Sequence, residues 1–172
     1  MASRHQVPAA APGPAHDPSD EHPGAPVDAT ARVADTDGTT PAPGAVTVLV
    51  ADDNDRFRSG MVRALGRLAD VVVVGDVADG ERALAVAREL RPRIVLADAR
   101  MPVVDGLEVA RGVTADPALR DTLVVLLSAR NDRRLRDDAR AAGAVGCLDK
   151  SDSRREICDA VLALARPTGP TP

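Results

Sequence analysis

From residue 46 onward the chain alternates between two hydrophobic patterns. Short, nearly unbroken apolar runs come at VTVLVA (46–51), VVVVGD (71–76), RIVLAD (93–98), TLVVLLS (122–128) and VGCL (145–148). Each is too short for a helix buried all round and reads as a strand covered on both faces. Between them lie longer segments with apolar residues at helical spacing. DRFRSGMVRALGRL (55–68) sets Phe57, Met61, Leu65 and Leu68 on one face, with Asp55 as its expected N-cap. GERALAVAREL (80–90) is closed by Pro92, and DGLEVARGVTA (105–115) follows the third run. NDRRLRDDARAAGA (131–144) is highly charged, with a narrow Leu135–Ala139–Ala142 stripe. SRREICDAVLALA (153–165) opens on a Ser153-x-x-Glu156 capping box and carries Ile157, Val161 and Leu164 on one face. Five strand–helix pairs of this kind predict an α/β fold, a parallel sheet with helices on both sides. Right-handed crossovers make it a doubly wound open sheet.

Residues 1–45 break the pattern. They hold eight of the 14 prolines, no apolar period, and six acids against two arginines. The stretch is expected to be a disordered tail, and so is the short segment 167–172. The tail carries the whole net charge of −4, because residues 46–172 balance 20 acids against 20 bases. A balanced domain gives no sign of a nucleic-acid surface. All three histidines, His5, His16 and His22, lie in the tail, so the domain has no histidine base or phospho-histidine. Cys147 and Cys158 make neither a disulfide framework nor a zinc cluster. With no signal-type h-region and no membrane-length apolar run, a cytoplasmic location is expected.

Chemistry collects at the carboxyl ends of the predicted strands, where open α/β sheets bind ligands. The first strand ends at Asp52–Asp53, the third at Asp98 and the fourth at Ser128; the fifth runs into Lys150. Three carboxylates without histidine form an all-oxygen set suited to a hard cation such as Mg²⁺. With a hydroxyl and an ammonium added, the set fits phosphoryl transfer: a carboxylate attacks phosphorus while metal and Lys⁺ neutralise its oxygens. Helix capping accounts equally well for Asp52, Asp53 and Asp55 taken alone. It does not explain four strands delivering such groups to one edge. Lys150 is also the only lysine among 22 lysines and arginines, as if the position required a compact ammonium.

The segments VLVADDND, IVLADARMPVVDGLEVAR, VVLLSAR and GAVGCLDKSD closely resemble the receiver domain of two-component response regulators, over about residues 46–166. The stretch D-x-x-M-P-x-x-D-G at Asp98–Gly106 is its most specific part. The resemblance implies a flavodoxin-like five-stranded sheet of order 2-1-3-4-5. It makes Asp98 the phosphoacceptor. Asp53 and Asp98 would bind Mg²⁺ (or Mn²⁺) directly, Asp52 partly through water, and the Arg100 carbonyl would be a further ligand. Ser128 would be the switch hydroxyl and Lys150 the phosphate-pairing lysine. Ala129 would leave room for the phosphoryl group, while Arg100, Met101 and Arg130 flank the site.

The implied donor is a sensor histidine kinase or a small acyl phosphate. The implied output is a downstream protein partner at the face of the fourth helix, fifth strand and fifth helix, and a homodimer is allowed. The sequence style is closest to the subgroup usually fused to a LuxR-type helix-turn-helix. Only one helix and a short tail follow Lys150, so a single-domain receiver without direct DNA or membrane binding is expected.

Cys147 departs from the family, which usually has an aromatic residue there. That motivates an alternative, a docking module that works without phosphorylation. A third reading, an aspartate-nucleophile phosphatase of the haloacid-dehalogenase kind, rests on Asp53-x-Asp55. It leaves the Asp98 motif unexplained.

Overall fold

The structure, a computed structural model, describes residues 32–33, 44–130 and 133–165. Its elements are β1 (Arg32–Val33), β2 (Val46–Ala51), α1 (Asp55–Leu65), β3 (Val71–Val77), α2 (Gly80–Leu90), β4 (Ile94–Asp98), α3 (Gly106–Ala115), a 3₁₀ turn (Pro117–Leu119), β5 (Leu123–Ser128), α4 (Arg133–Ala141), β6 (Gly146–Asp149) and α5 (Arg154–Ala165). The sheet runs β1-β3-β2-β4-β5-β6. The five strands from β2 to β6 are parallel and follow the expected order 2-1-3-4-5.

The apolar runs of β2, β4 and β5 are continuous because these central strands bury both faces. Along β2, Leu49 and Ala51 face one core while Val48 and Val50 face the other. Val95 and Ala97 oppose Ile94 and Leu96 on β4, and Val124 and Leu126 oppose Val125 and Leu127 on β5. The first core is covered by α2, α3 and Ala139 of α4, and the second by α1 and α5. A single phenylalanine suffices because packing is aliphatic throughout.

Several local expectations need correction. Asn54, not Asp55, caps α1: its side chain accepts from the Phe57 N–H at 3.0 Å, while Asp55 turns to pair with Arg58. Helix α1 stops at Leu65, where Gly66 takes the C-cap. Asp105 lies outside α3 and caps it through a capping box with Glu108. The described part of α4 ends at Ala141, because Gly143 turns the chain with φ +92°. Strand β6 is displaced one residue toward the C-terminus of its predicted span, and β3 extends to Val77. The Ser153–Glu156 box forms as expected, with Ser153 just outside α5.

Within the stretch expected to be a tail, Arg32–Val33 pairs antiparallel with Gly75 and Asp76 on the edge strand. Apart from Gly44 and Ala45, the remainder of that expectation, the three histidines and residues 167–172 lie outside the described residues.

Candidate functional site

Sheet register brings the strand-end groups together. Ala51 of β2 lies opposite Ala97 of β4, so the next residues, Asp52 and Asp98, leave the sheet side by side. Asp98 is in turn opposite Leu127, and Ser128 is opposite Asp149, which precedes Lys150. The Lys150 N–H donates to the Ser128 carbonyl at 2.9 Å and ties the last strand end to the fourth.

Asp52, Asp53 and Asp98 each bring a carboxylate oxygen to within 4.8 Å of the other two. Asp52 is fully buried, Asp98 nearly so, and Asp53 is exposed. The Lys150 Nζ sits 2.7 Å from Asp52 Oδ2 and 2.8 Å from Asp98 Oδ2, with its side chain 15% exposed. One ammonium thus bridges carboxylates from two strands. Backbone N–H groups take the other oxygens: Asn54 donates to Asp52 Oδ1 at 2.9 Å and Arg100 to Asp98 Oδ1 at 3.2 Å. Burial pushes the Asp52 carboxyl above its ordinary 3.8, the Lys150 ammonium and the Asn54 N–H oppose the rise, and the Asp98 charge adds to it.

Asp52 Oδ2 is buried, and its one close partner among the described residues is the Lys150 ammonium at 2.7 Å. Three carboxylates that converge within 4.8 Å, more than one ammonium neutralises, offer lone pairs to a hard cation. The donor set therefore fits a divalent ion bound through oxygen.

The remaining predicted residues ring this centre. Ser128 is buried, but its hydroxyl turns into its own loop: it donates to the Arg130 carbonyl and accepts from the Arg130 N–H, both at 3.1 Å. Met101 is buried, while Arg100, Ala129 and Arg130 are exposed. A cavity of about 250 Å³ opens beside Ser128, lined by Arg100, Arg130, Arg134 and Asp138 among others. Cys147 is half-buried on β6, away from the carboxylates, and borders a groove of about 80 Å³ with Arg136, Ala139 and Arg140. Cys158 is buried on α5, where desolvation raises its thiol pKa.

One group escaped the sequence reading, and one glycine of the Asp98–Gly106 motif gains a physical role from the structure. Arg58 is buried and donates from Nε to Asp76 Oδ2 at 3.0 Å and from Nη1 to the Asp52 carbonyl at 2.6 Å; it also pairs with Asp55. It pins the turn that carries Asp52 and Asp53. The signal was there, since Arg58, Met61 and Leu65 share the buried face of α1 and a charge on such a face needs buried partners. That glycine is Gly106, where a Cβ would lie 2.3 Å from the Asp98 carbonyl oxygen. The glycine of the D-G pair lets α3 start directly against the strand end bearing Asp98.

The fold thus places a carboxylate-and-lysine cluster at the strand ends of a doubly wound sheet. Residues 48–162 match the family model described as response regulator receiver domain, and the chain belongs to that family. It is 40% identical over 128 residues to the probable transcriptional regulatory protein NarL of Mycobacterium tuberculosis, covering 74% of this chain and 58% of that protein. With the response regulator GacA of Pseudomonas protegens it shares 35% over 116 residues, 67% of this chain and 54% of the relative. The solved signal receiver domain of NarL from M. tuberculosis superposes with a TM-score of 0.68 at 40% identity, over 73% of this chain and 99% of that domain. The chain spans just over half the length of the curated relatives it matches. No helix among the described residues is long and apolar enough to cross a membrane.

Proposed function

We propose that the chain accepts a phosphoryl group on Asp98, from the phospho-histidine of a sensor kinase or from a small acyl phosphate, and signals through its α4–β6–α5 face to a protein partner. The observation that carries the proposal is the Lys150 ammonium bridging the Asp98 and Asp52 carboxylates at 2.8 and 2.7 Å inside a three-carboxylate cluster. Asp98 Oδ attacks phosphorus, and the bond to the donor nitrogen or oxygen breaks with its electron pair going to the leaving group. An acyl phosphate on Asp98 results. Lys150, already in contact with that carboxylate, pairs with the charge arriving there. Asp52, Asp53 and Asp98, with the Arg100 carbonyl, would hold Mg²⁺, or Mn²⁺ in its place. When bound, the ion supplies positive charge that offsets repulsion between carboxylate and phosphoryl oxygens.

Ser128 must leave its contacts with Arg130 to donate to the phosphoryl group. That rotation is a local event on the β5–α4 loop, and it links the acceptor to α4. The added charge, near −2, biases the α4–β6–α5 face between two arrangements. Arg133, Arg134, Arg136 and Arg140 outnumber Asp137 and Asp138 on α4, which face Arg133, Arg134 and Arg140 at 3.9 Å, and the remaining positive charge suits an acidic partner surface.

The test is incubation with acetyl phosphate and Mg²⁺, read by intact mass. The expected result is one phosphoryl adduct, abolished in Asp98→Asn. No adduct under conditions that label a known receiver, or an adduct that survives Asp98→Asn, refutes the proposal.

Cys147 favours a second reading, a docking module indifferent to phosphorylation. A thiol stands where the family usually carries a ring, and the neighbouring groove of about 80 Å³ is not filled by it. This reading gains if partner capture by wild type and Asp98→Asn is equal; unequal capture removes it.

A further inference from the structure

The chain has one lysine and one residue among Phe, Tyr and Trp, and the fold brings them together. Lys150 Nζ lies 4.7 Å from the centroid of the Phe57 ring, and the Arg154 guanidinium carbon lies 4.1 Å from it. Resting on the phosphoacceptor reading above, we infer that Phe57 is a positioning residue for Lys150: its ring, which Arg154 also contacts, holds the ammonium over the Asp52–Asp98 pair.

Lys150 needs such support. It lies beyond the end of β6, and its backbone is fastened by the bond to the Ser128 carbonyl. Its long stem has many rotamers, and only the charged tip meets the carboxylates. The ring supplies a second point of attraction through its quadrupole. It stands on the first turn of α1, which Asn54 and Arg58 fix in place. Arg154 completes the arrangement. A Cβ on Gly60 would lie 3.2 Å from Arg154 Nε, so the guanidinium lodges between Phe57 and the bare backbone of α1. Two cations on one ring repel. Of the two, Lys150 is the one that also lies within 2.8 Å of the carboxylates.

The alternative is that Phe57 merely packs, being half-buried against the core between the sheet and the α1 and α5 helices. Leucine would do that equally well, whereas only an aromatic ring attracts the ammonium. The experiment uses the full chain labelled with ¹³C-lysine, which gives a single side-chain lysine signal that needs no assignment. In wild type the Lys150 Hε signal is expected upfield of free lysine, shifted by the Phe57 ring current. In Phe57→Leu it moves to the free-lysine position, and in Phe57→Tyr it stays upfield. Identical signals in wild type and Phe57→Leu overturn the inference. In Arg154→Gln the ammonium slides over the ring and the upfield shift grows; an unchanged signal overturns the sharing of the ring.

The functional arm follows labelling by acetyl phosphate with Mg²⁺. The initial rate falls roughly two- to fivefold in Phe57→Leu, the Boltzmann factor of a partly exposed cation–π contact. The unfolding midpoint holds, and Phe57→Tyr restores the rate. A lost ring shift with an unchanged labelling rate also overturns the positioning role. If wild type takes no phosphoryl group, the phosphoacceptor reading fails, and the spectra alone decide whether Phe57 holds Lys150.

Discussion

Replacing Arg58 by methionine is expected to cost about 2–4 kcal/mol of folding stability, and the three contacts of the guanidinium divide that loss unequally. The Arg58 side chain is 6% exposed, so methionine keeps the buried stem and removes only the donors. The Asp55 partner is 85% exposed, and its pair with Arg58 contributes almost nothing. The Asp52 carbonyl accepts from Nη1 at 2.6 Å in a buried setting; stripping its donor costs about 1–3 kcal/mol. Asp76, 16% exposed, keeps a little water but loses its charge partner at 3.0 Å, which adds a cost of about 1 kcal/mol. Urea unfolding of Arg58→Met should show a lower midpoint with an unchanged slope. In the double variant Arg58→Met/Asp76→Leu no orphaned carboxylate remains, so part of the loss returns. A single-variant loss below about 0.5 kcal/mol, or a double variant as unstable as the sum of the two singles, would refute the claim that Arg58 is the clamp of the acidic turn.

Three further outcomes follow from the same geometry. Gly106→Ala drives a Cβ to 2.3 Å from the Asp98 carbonyl oxygen, so a loss of about 3 kcal/mol in thermal unfolding is expected; wild-type stability would mean that α3 can retreat from the strand end at no cost. Lys150→Arg should slow acetyl phosphate labelling by about tenfold or more, because the guanidinium spreads its charge over three nitrogens; a near-normal rate would make the lone lysine accidental. The Glu156 contribution to stability should be constant from neutral pH down to about the ordinary glutamate value of 4.5 and be lost below it, because Ser153 holds Glu156 below that value: a carboxylate with a depressed folded pKa stabilises above its unfolded pKa, and the contribution is lost as pH falls through the folded one, while Asp52, raised by burial, acts in the opposite sense. Asp149, lowered by Ser151, and Asp116, lowered by the Ala118 N–H and then by Arg88, act in the same direction as Glu156. Ser153→Ala should make the acid limb shallower, and superimposable pH–stability curves for it and wild type would remove Glu156 from that limb.

The sheet was legible because a strand buried on both faces writes its burial directly into the sequence as an apolar run. β2, β4 and β5 were placed to within a residue for that reason. Strand β1 was not legible: two residues in a proline-rich stretch carry no period, and their pairing with Gly75 and Asp76 is decided by the bare edge of β3. Helix ends moved where two residues compete for one role. Asn54 and Asp55 both suit an N-cap, and the structure gives the cap to Asn54 because Asp55 pairs with Arg58. The acidic site was legible through register, since in a parallel sheet residues that follow aligned strands share one edge. Ser128 was legible as a position but not as a contact, because a hydroxyl with one rotatable bond takes the nearest backbone partner.

The two buried-edge cations show why a chain that writes arginine nearly everywhere writes lysine once. Arg58 meets acceptors in three directions: a main-chain carbonyl, the Asp76 carboxylate and the Asp55 carboxylate. A planar fork with several nitrogens serves separated acceptors, and a lysine could satisfy only part of that set. At Lys150 the acceptors converge. Carboxylate oxygens from two strands lie 2.7 and 2.8 Å from a single nitrogen, which also contacts the Phe57 ring, and Arg154 contacts the same ring. A guanidinium centred there would carry its outer nitrogens past both oxygens and crowd the ring that Arg154 already occupies. The choice of cation thus follows from acceptor geometry, and it separates a side chain that fixes the acidic turn from one that faces the reacting carboxylate.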